Sequence, residues 1–350
     1  MAKFSDVLTI VNGKNQSKVE NPNGAYPIYG SGGIMGYADD FLCDAETVVI
    51  GRKGSINKPI YVEEPFWNVD TAFGLVANRD FLLPKYLFYF CVYFDFEQLN
   101  TTVTIPSLTK ANLLNIEMNL PPLIVQKEIV ERLSKVDELI ALRKEQLAKL
   151  DQLVKSRFIE LFGDRYTNDK KWDNKLLYEC ADFYNGKAHE QVVDENGEYI
   201  LVTSRCIASD ISDYRRTNAL LFPLQVNDIA MVMSDVPNGR ALAKCILIDE
   251  DGKYTLNQRI CCLRNYLFNP IFFYHLLNRH EYFLSFNDGN AQTNLRKDDL
   301  LACNIIIPPL ELQEQFAAFV KQTDKSKLAI QQSLDKLEIL KKSLMQECFG

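Results

Sequence analysis

The chain has 350 residues, 47% of them hydrophobic and 24% charged, with a formal net charge of -7 at pH 7 and a mean hydropathy of -0.15. That length exceeds what one hydrophobic core commonly supports and predicts two domains, while the balanced composition excludes a disordered or low-complexity chain. The acidic surplus excludes a protein coated in positive charge for indiscriminate nucleic-acid binding, although a local basic face is compatible with it.

The opening Met1-Ala2-Lys3-Phe4-Ser5-Asp6 lacks the apolar core of a signal peptide, so a cytoplasmic location is expected. Residues 1–120 read as short strands separated by turns: Tyr26–Tyr29, a glycine cluster at Gly30-Ser31-Gly32-Gly33, Thr47–Ile50, and Ile60–Val62 followed by Phe66-Trp67. The most apolar stretch, Phe81 to Phe94, is broken by Pro84 and Lys85 and is too short to span a bilayer. From Pro84 onward it reads as a short aromatic helix packed on the sheet.

After Pro121-Pro122 the character changes. No Gly or Pro follows until Gly163, and Leu133, Ile140, Leu147, Val154 and Leu161 recur every seventh residue, which predicts one long helix with a single apolar seam. A polar linker leads into a second turn-rich body, residues 164–307, whose short helix falls near Pro270 to Leu277. A second long helix then runs from Leu310 to Phe349, its seam carrying Phe316, Ile330, Leu337 and Leu344 with Thr323 interrupting. At about 1.5 Å per residue each helix spans about 58 Å, too long to need only its own domain. Each wants a partner helix, and a two-fold relation would make the pair antiparallel. Arg143, Arg157, Lys327 and Lys341 fall within the seams, which points to snorkelling stems or an enforced register.

The segment Leu113–Gly163 recurs as Leu300–Gly350 without a gap, 187 residues later. Pro121-Pro122-Leu123 with Gln126 answers Pro308-Pro309-Leu310 with Gln313, and Phe162-Gly163 answers Phe349-Gly350. Upstream the likeness weakens: Trp67-Asn68-Val69-Asp70 falls opposite Tyr254-Thr255-Leu256-Asn257, Leu108 opposite Leu295, and Asn12-Gly13-Lys14 matches Asn185-Gly186-Lys187 at a shorter offset. One part of each repeat kept its sequence while the other diverged, as expected of a fixed scaffold carrying a variable reader. The expected class is α+β: two repeated mainly-β domains at 1–120 and 164–307, each followed by a long helix, at 121–163 and 308–350. Because the repeat is nearly cyclic, joining Gly350 to Met1 and opening the chain between Thr167 and Lys171 is expected to preserve function.

Nine cysteines without a C-x-x-C pair, Cys261 adjacent to Cys262, and only three histidines (His189, His275, His280) give no zinc spacing; buried, reduced thiols are expected. Asn119-Leu120-Pro121-Pro122 faintly resembles the N-P-P-aromatic motif of DNA adenine methyltransferases. The Asn is one residue too far, Leu123 replaces the aromatic, and Ile306-Ile307-Pro308-Pro309 has no Asn at all. Gly30-Ser31-Gly32-Gly33 does not fit a dinucleotide loop, and no G-x-x-x-x-G-K-[ST] loop exists. No catalytic constellation assembles around acids such as Glu64 and Asp70, so no intrinsic catalysis and no cofactor are expected. A methyltransferase and a purely structural coiled-coil adaptor are the alternatives.

A turn-rich β domain ending in P-P-L-x-x-Q and running into a long helix that stops at F-G, present twice, resembles the specificity subunit of type I restriction-modification enzymes. Tyr29 to Tyr37, Val49 to Ser55, Leu201-Val202-Thr203-Ser204 and Asn290 to Leu295 fit the same likeness. The resemblance implies that each globular part is a target-recognition domain reading one half of a bipartite double-stranded DNA site. It implies that residues 123–162 and 310–349 form an antiparallel coiled-coil spacer presenting surface to two methyltransferase subunits. Restriction and translocase subunits would join through the complex, and no membrane is involved.

Arg or Lys to guanine and Asn or Gln to adenine are the pairings the major groove favours, so candidate contacts are such residues near turns. In the first repeat these are Arg52, Lys53 and Lys58 beside Gly51 and Gly54, with Tyr29, Ser31 and Tyr37 around the glycine cluster. In the second they are Ser204, Arg205, Arg215, Arg216, Asn238 and Arg240, with Gln292 and Asn294; Gln258 beside Asn257 could equally be a structural amide.

Overall fold

The computed structural model describes residues 1–100, 106–235, 241–287 and 293–350. It divides into two compact units, Met1–Gln146 with Ile330–Gly350, and Leu147–Ala329.

The first unit begins with β1 (Ala2–Lys3), α1 (Phe4–Val7) and β2 (Leu8–Asn12), followed by β3 (Tyr26–Gly30), β4 (Gly33–Ala38), β5 (Thr47–Gly51), β6 (Ile60–Val62), β7 (Trp67–Asn68) and β8 (Ala72–Ala77). These strands make an antiparallel sheet in the order β2-β8-β5-β6 and a smaller one in the order β4-β3-β7, where β3 and β7 run parallel. The β-branched run of β5 is buried throughout, as a central strand with both faces covered requires. The unit continues through α2 (Pro84–Tyr93), α3 (Lys110–Leu114), β9 (Glu117–Met118), which closes on β1, and α4 (Leu123–Phe162). Pro84 opens α2 at a position where its missing N–H costs nothing. Phe4, Tyr86, Leu87, Phe90 and Phe96 then fill the core between α2 and the larger sheet.

The second unit repeats the plan. Its elements are β10 (Asn174–Leu176), α5 (Leu177–Cys180), β11 (Asp182–Asn185), β12 (Tyr199–Val202), α6 (Ser204–Ala208), β13 (Arg215–Thr217), β14 (Ile229–Val232), β15 (Ser234–Asp235), β16 (Cys245–Leu247), β17 (Tyr254–Leu256) and β18 (Ile260–Arg264). After them come α7 (Pro270–Leu277), α8 (Glu281–Leu284), β19 (Thr293–Asn294), α9 (Lys297–Leu301), β20 (Asn304–Ile306) and α10 (Leu310–Phe349). The sheets run β11-β18-β14-β16 and β13-β12-β17, with β12 and β17 parallel.

The P-P-L-x-x-Q motif is a buried joint. In the first unit the Gln126 amide oxygen accepts from the Leu83 N–H (2.9 Å), and its nitrogen donates to the carbonyls of Phe81 and Pro121 (2.8 Å each). In the second, Gln313 accepts from the Asn269 N–H (2.9 Å) and donates to the Pro308 carbonyl (2.9 Å). Leu83 and Asn269 are the N-caps of α2 and α7. One amide therefore satisfies backbone groups that burial would otherwise strand, and it fixes the start of each long helix to the short one. This explains the repeated prolines without catalysis.

Each unit contains half of α4 and half of α10, and within each the two halves run antiparallel. In the first unit Arg132 faces Glu347 (3.9 Å), Asp137 faces Lys341 (2.6 Å), and Arg143 donates to the Ser333 hydroxyl (3.2 Å). Asp137 also accepts from the Tyr89 hydroxyl (3.0 Å), tying α2 to the helix pair. Phe349 packs on Tyr86, Phe90 and Tyr93 at 5.1–6.0 Å between ring centroids, with Ala2 on the same core. In the second unit Asp151 meets Lys327 (2.6 Å), Arg157 lies over Phe319, and Phe162 is enclosed by Phe158, Phe272 and Phe316. The seam cations thus fix register across the helices, while Thr323 returns its hydroxyl to the Phe319 carbonyl (2.9 Å).

One expectation changes. The polar segment 164–172 is a cap rather than a slack linker: Lys170 donates to the Glu160 and Leu161 carbonyls, and the Trp172 indole to that of Phe162 (2.9 Å). Asn168 is bonded to both backbone groups of Trp172. Opening the chain between Thr167 and Lys171 would therefore cut within the segment that caps the C-terminus of α4. The nine cysteines are unpaired, eight of them buried, and burial pushes the Cys43 thiol up to about 12.

The two cores differ in how far they enclose the phenylalanine that ends each long helix. Phe162 is fully buried, so Phe162→Ala should lower the unfolding free energy by about 3–5 kcal/mol, and half-exposed Phe349→Ala by less, in denaturant titrations. Burial, with the positive charges of Lys327 and Arg165, lowers His275 to about 4; burial and Arg165 lower His280 to about 4. Both rings are neutral when folded and take up protons readily when unfolded. Their contribution is complete above about pH 6.5 and is lost as pH falls toward about 4. The melting temperature of the second unit should drop across that window, and less steeply in His275→Phe.

Candidate nucleic-acid interface

In the first unit β5 leaves the sheet at Gly51 and turns through Arg52, Lys53 and Gly54, all three exposed. The turn is held on both sides. Arg52 and Lys53 donate their N–H groups to the Thr71 carbonyl (2.8 and 3.3 Å), Leu108 donates to that of Arg52 (2.9 Å), and Gly54 donates to that of Pro106 (3.0 Å). Gly54 has a left-handed φ of +81°. A Cβ on Gly51 would stand 2.4 Å from the Ser55 carbonyl oxygen and 3.0 Å from the Ser31 Cβ. Only glycine allows the β3–β4 hairpin tip to close against this turn.

The structure thus brings Ser31, Arg52 and Lys53 together. Tyr29, half-buried one residue before the tip, packs edge-on to Phe66 (5.4 Å), and burial and then the Glu64 charge raise its phenol, which stays protonated. Arg52 lies 5.8 Å above the Phe73 ring. Tyr37 is exposed further along β4, beside exposed Ile34 and Met35, and Lys58 is exposed beyond buried Ile56.

The second unit has the same backbone frame. Met233 donates its N–H to the Arg259 carbonyl (3.3 Å), Leu295 donates to that of Met233 (2.7 Å), and Ser234–Asp235 pair with Thr293–Asn294. Arg52 and Met233 therefore correspond, as do Thr71 and Arg259, and Leu108 and Leu295. Gly13 and Gly186 also occupy one position, where a Cβ would lie 1.8 Å from the Val69 oxygen and 2.1 Å from the Asn257 oxygen. This close approach explains the repeated Asn-Gly-Lys. It also corrects the sequence register by one residue, since Val69 corresponds to Asn257 rather than to Leu256; their N–H groups donate to Tyr29 and Val202 respectively.

Where the first unit has the glycine hairpin tip, the second has α6, so Ser204 stands two residues after Val202 as Ser31 stands two after Tyr29. Arg205 pairs with Asp213 (3.1 Å). Arg216 donates to the carbonyls of Gly197 and Glu198 (3.2 Å each) and lies over Tyr214. Arg215 is exposed on β13. Asn294 lines an open groove of about 370 Å³ with Asn185, Met233, Ser234, Gln258, Arg259 and Leu295. Asn238, Arg240 and Gln292 lie outside the described residues. Sequence reasoning missed Asn185 and Arg259. Asn185 stood in the repeated Asn-Gly-Lys, whereas Arg259 follows the turn residue Asn257, whose side chain accepts its N–H, and reaches the groove through the pairing of β14 with β18.

Among the described residues no cluster of His, Cys, Asp or Glu is placed to hold a metal ion, and no helix is long and apolar enough to cross a membrane.

The sequence matches the family model described as the type I restriction modification DNA specificity domain over residues 1–152 and 169–339, so the chain belongs to that family. It is 30% identical over 127 residues to a putative type I restriction enzyme specificity subunit of Haemophilus influenzae, a match spanning 35% of this chain and 32% of that relative. Its fold is similar to the crystal structure of a type I restriction-modification S subunit from M. genitalium, with a TM-score of 0.61 at 16% identity over 100% of this chain and 95% of that one. A second solved structure, from work on complex assembly and conformational transition of the type I R-M system, is equally similar, with a TM-score of 0.61 at 16% identity over 99% of this chain and 96% of that one.

Proposed function

We propose that this chain is the DNA-recognition subunit of a type I restriction-modification complex, each unit contacting one half of a bipartite double-stranded site. The observation that carries the reading is the same clamped strand-end frame built twice, presenting Arg52 and Lys53 in one unit and Arg259 in the other. Guanidinium and amide groups on rigid strand ends suit base edges in the major groove better than cations on slack loops do. Family membership supports the same role. With a net charge of -7, much of the phosphate contact would come from partner subunits. Methylation, ATP hydrolysis and cleavage would also reside on those partners, a division of labour that family membership supports.

Arg52→Ala should weaken binding to one half-site by about 1–3 kcal/mol while sparing the other, and Arg240→Ala should do the same for the opposite half. Binding assays on DNAs with one scrambled half check this. Equal loss on every DNA would reduce the contact to phosphate.

The long helices are read as the spacer and as the docking surface for two methyltransferase subunits. Leu153 and Leu340 occupy the same position of the repeat and are 48% and 46% exposed. Two equivalent apolar positions suit two copies of one partner. Leu153→Asp with Leu340→Asp should abolish co-purification of the methyltransferase subunit while leaving the circular-dichroism spectrum unchanged. Undiminished co-purification would move the docking surface elsewhere.

A further inference from the structure

The two recognition frames share a backbone crossing but place different side chains on it. In the first unit the end of β5 meets the residue before β8, Arg52 bonding to Thr71; in the second the end of β14 meets the residue before β18, Met233 bonding to Arg259. One guanidinium therefore stands at each crossing, supplied by opposite sides of the same hydrogen bond. The strand-end position holding Arg52 is Met233 in the second unit, and the position holding Arg259 is Thr71 in the first.

Arg259 is equipped for a directed contact. Its backbone is fixed twice, the carbonyl accepting from Met233 and the N–H donating to the Asn257 side-chain oxygen (3.3 Å). Its side chain is exposed and has no partner among the described residues. By contrast, Arg205 and Arg264 are paired with carboxylates. Among the described residues, the groove around it is lined by the amides of Asn185, Gln258 and Asn294 and by no carboxylate. Gln258 is itself oriented by Glu190 (2.9 Å). A planar five-donor fork in an amide-lined groove is complementary to two adjacent acceptors, the pattern that guanine O6 and N7 present in the major groove.

We infer that Arg259 is the guanine-reading arginine of the second unit, the functional counterpart of Arg52 from the opposite side of the frame. This rests on the DNA-recognition reading above. Because the two guanidinium groups enter from opposite sides, the guanine falls at a different place in each half-site, which makes the bipartite motif asymmetric although the scaffold repeats.

The test uses the full chain co-purified with its methyltransferase subunits, selecting from a library of random double-stranded DNA whose bound fraction is sequenced. Wild type should yield a bipartite motif. Arg259→Ala should flatten one guanine position in one half by tenfold or more and leave the other half intact, and Arg52→Ala should flatten a guanine in the opposite half. Arg259→Lys should not restore the preference, since an ammonium keeps the charge without the fork. An intact motif in Arg259→Ala, or a uniform loss on all DNA that Arg259→Lys rescues, would overturn the inference and leave the recognition reading standing. Absence of any motif in wild type would overturn both. Unchanged melting of the Arg259 variants separates a lost contact from a lost fold.

Discussion

Neither compact unit is complete without both long helices. The aromatic surface of α2 is covered by the first half of α4 and the last turns of α10, ending at Phe349. The core around Phe272 is covered by the end of α4, at Phe162, and by the first half of α10, at Phe316 and Val320. A helix of forty residues has too narrow an apolar stripe to fold alone and too much of one to stand in water, so packing on a domain and packing on a partner helix are satisfied together. The buried amides of Gln126 and Gln313 then fix where each helix starts. Charged pairs such as Asp137 with Lys341 and Asp151 with Lys327 fix how the helices slide. Those pairs are half exposed and contribute register more than stability.

On that scaffold the divergent bodies keep one feature in common, a strand end held from both sides by backbone bonds. Holding the backbone this way leaves the side chains at the crossing free to differ without disturbing the sheet. Arg52 beside Thr71 and Met233 beside Arg259 are two solutions on one frame. It is the arrangement expected where the scaffold is conserved by packing and the reading surface is varied by selection for different targets. The recognition role proposed above is compatible with a net charge of -7 if a few guanidinium and amide groups held in place do the reading and partners supply the phosphate attraction.

The long helices, α2 and α7 were legible in the sequence because their signals are local: Pro121-Pro122, Pro84 and Pro270 mark starts, and seven-residue spacing or aromatic density marks the buried face. The β-branched runs of β5 and β6 were legible for the same reason. Strand neighbours were not, since the parallel pairing of β3 with β7 joins residues about forty positions apart and leaves no periodic trace. The site inherits that blindness. Arg52 and Lys53 sit between glycines and announce a turn, whereas the turn at Asn257 that carries Arg259 gains its place at the strand end only through the pairing of β14 with β18. The charge of Arg216 marked it as a contact, yet its guanidinium is bonded to the carbonyls of Gly197 and Glu198, an arrangement no composition reveals.

The proposed function gives the helices continuous from Leu123 to Phe162 and from Leu310 to Phe349 the role of spacer between two readers. The most direct measurement inserts one heptad into both helices, between Gln146 and Leu147 and between Ala329 and Ile330, where the compact units divide. The DNA motif methylated by the resulting complex is then mapped. Each insertion adds about 10 Å of helix, about three base pairs of duplex. The account predicts that both half-sites keep their bases while the unread gap between them lengthens. An unchanged gap in an active complex would contradict it.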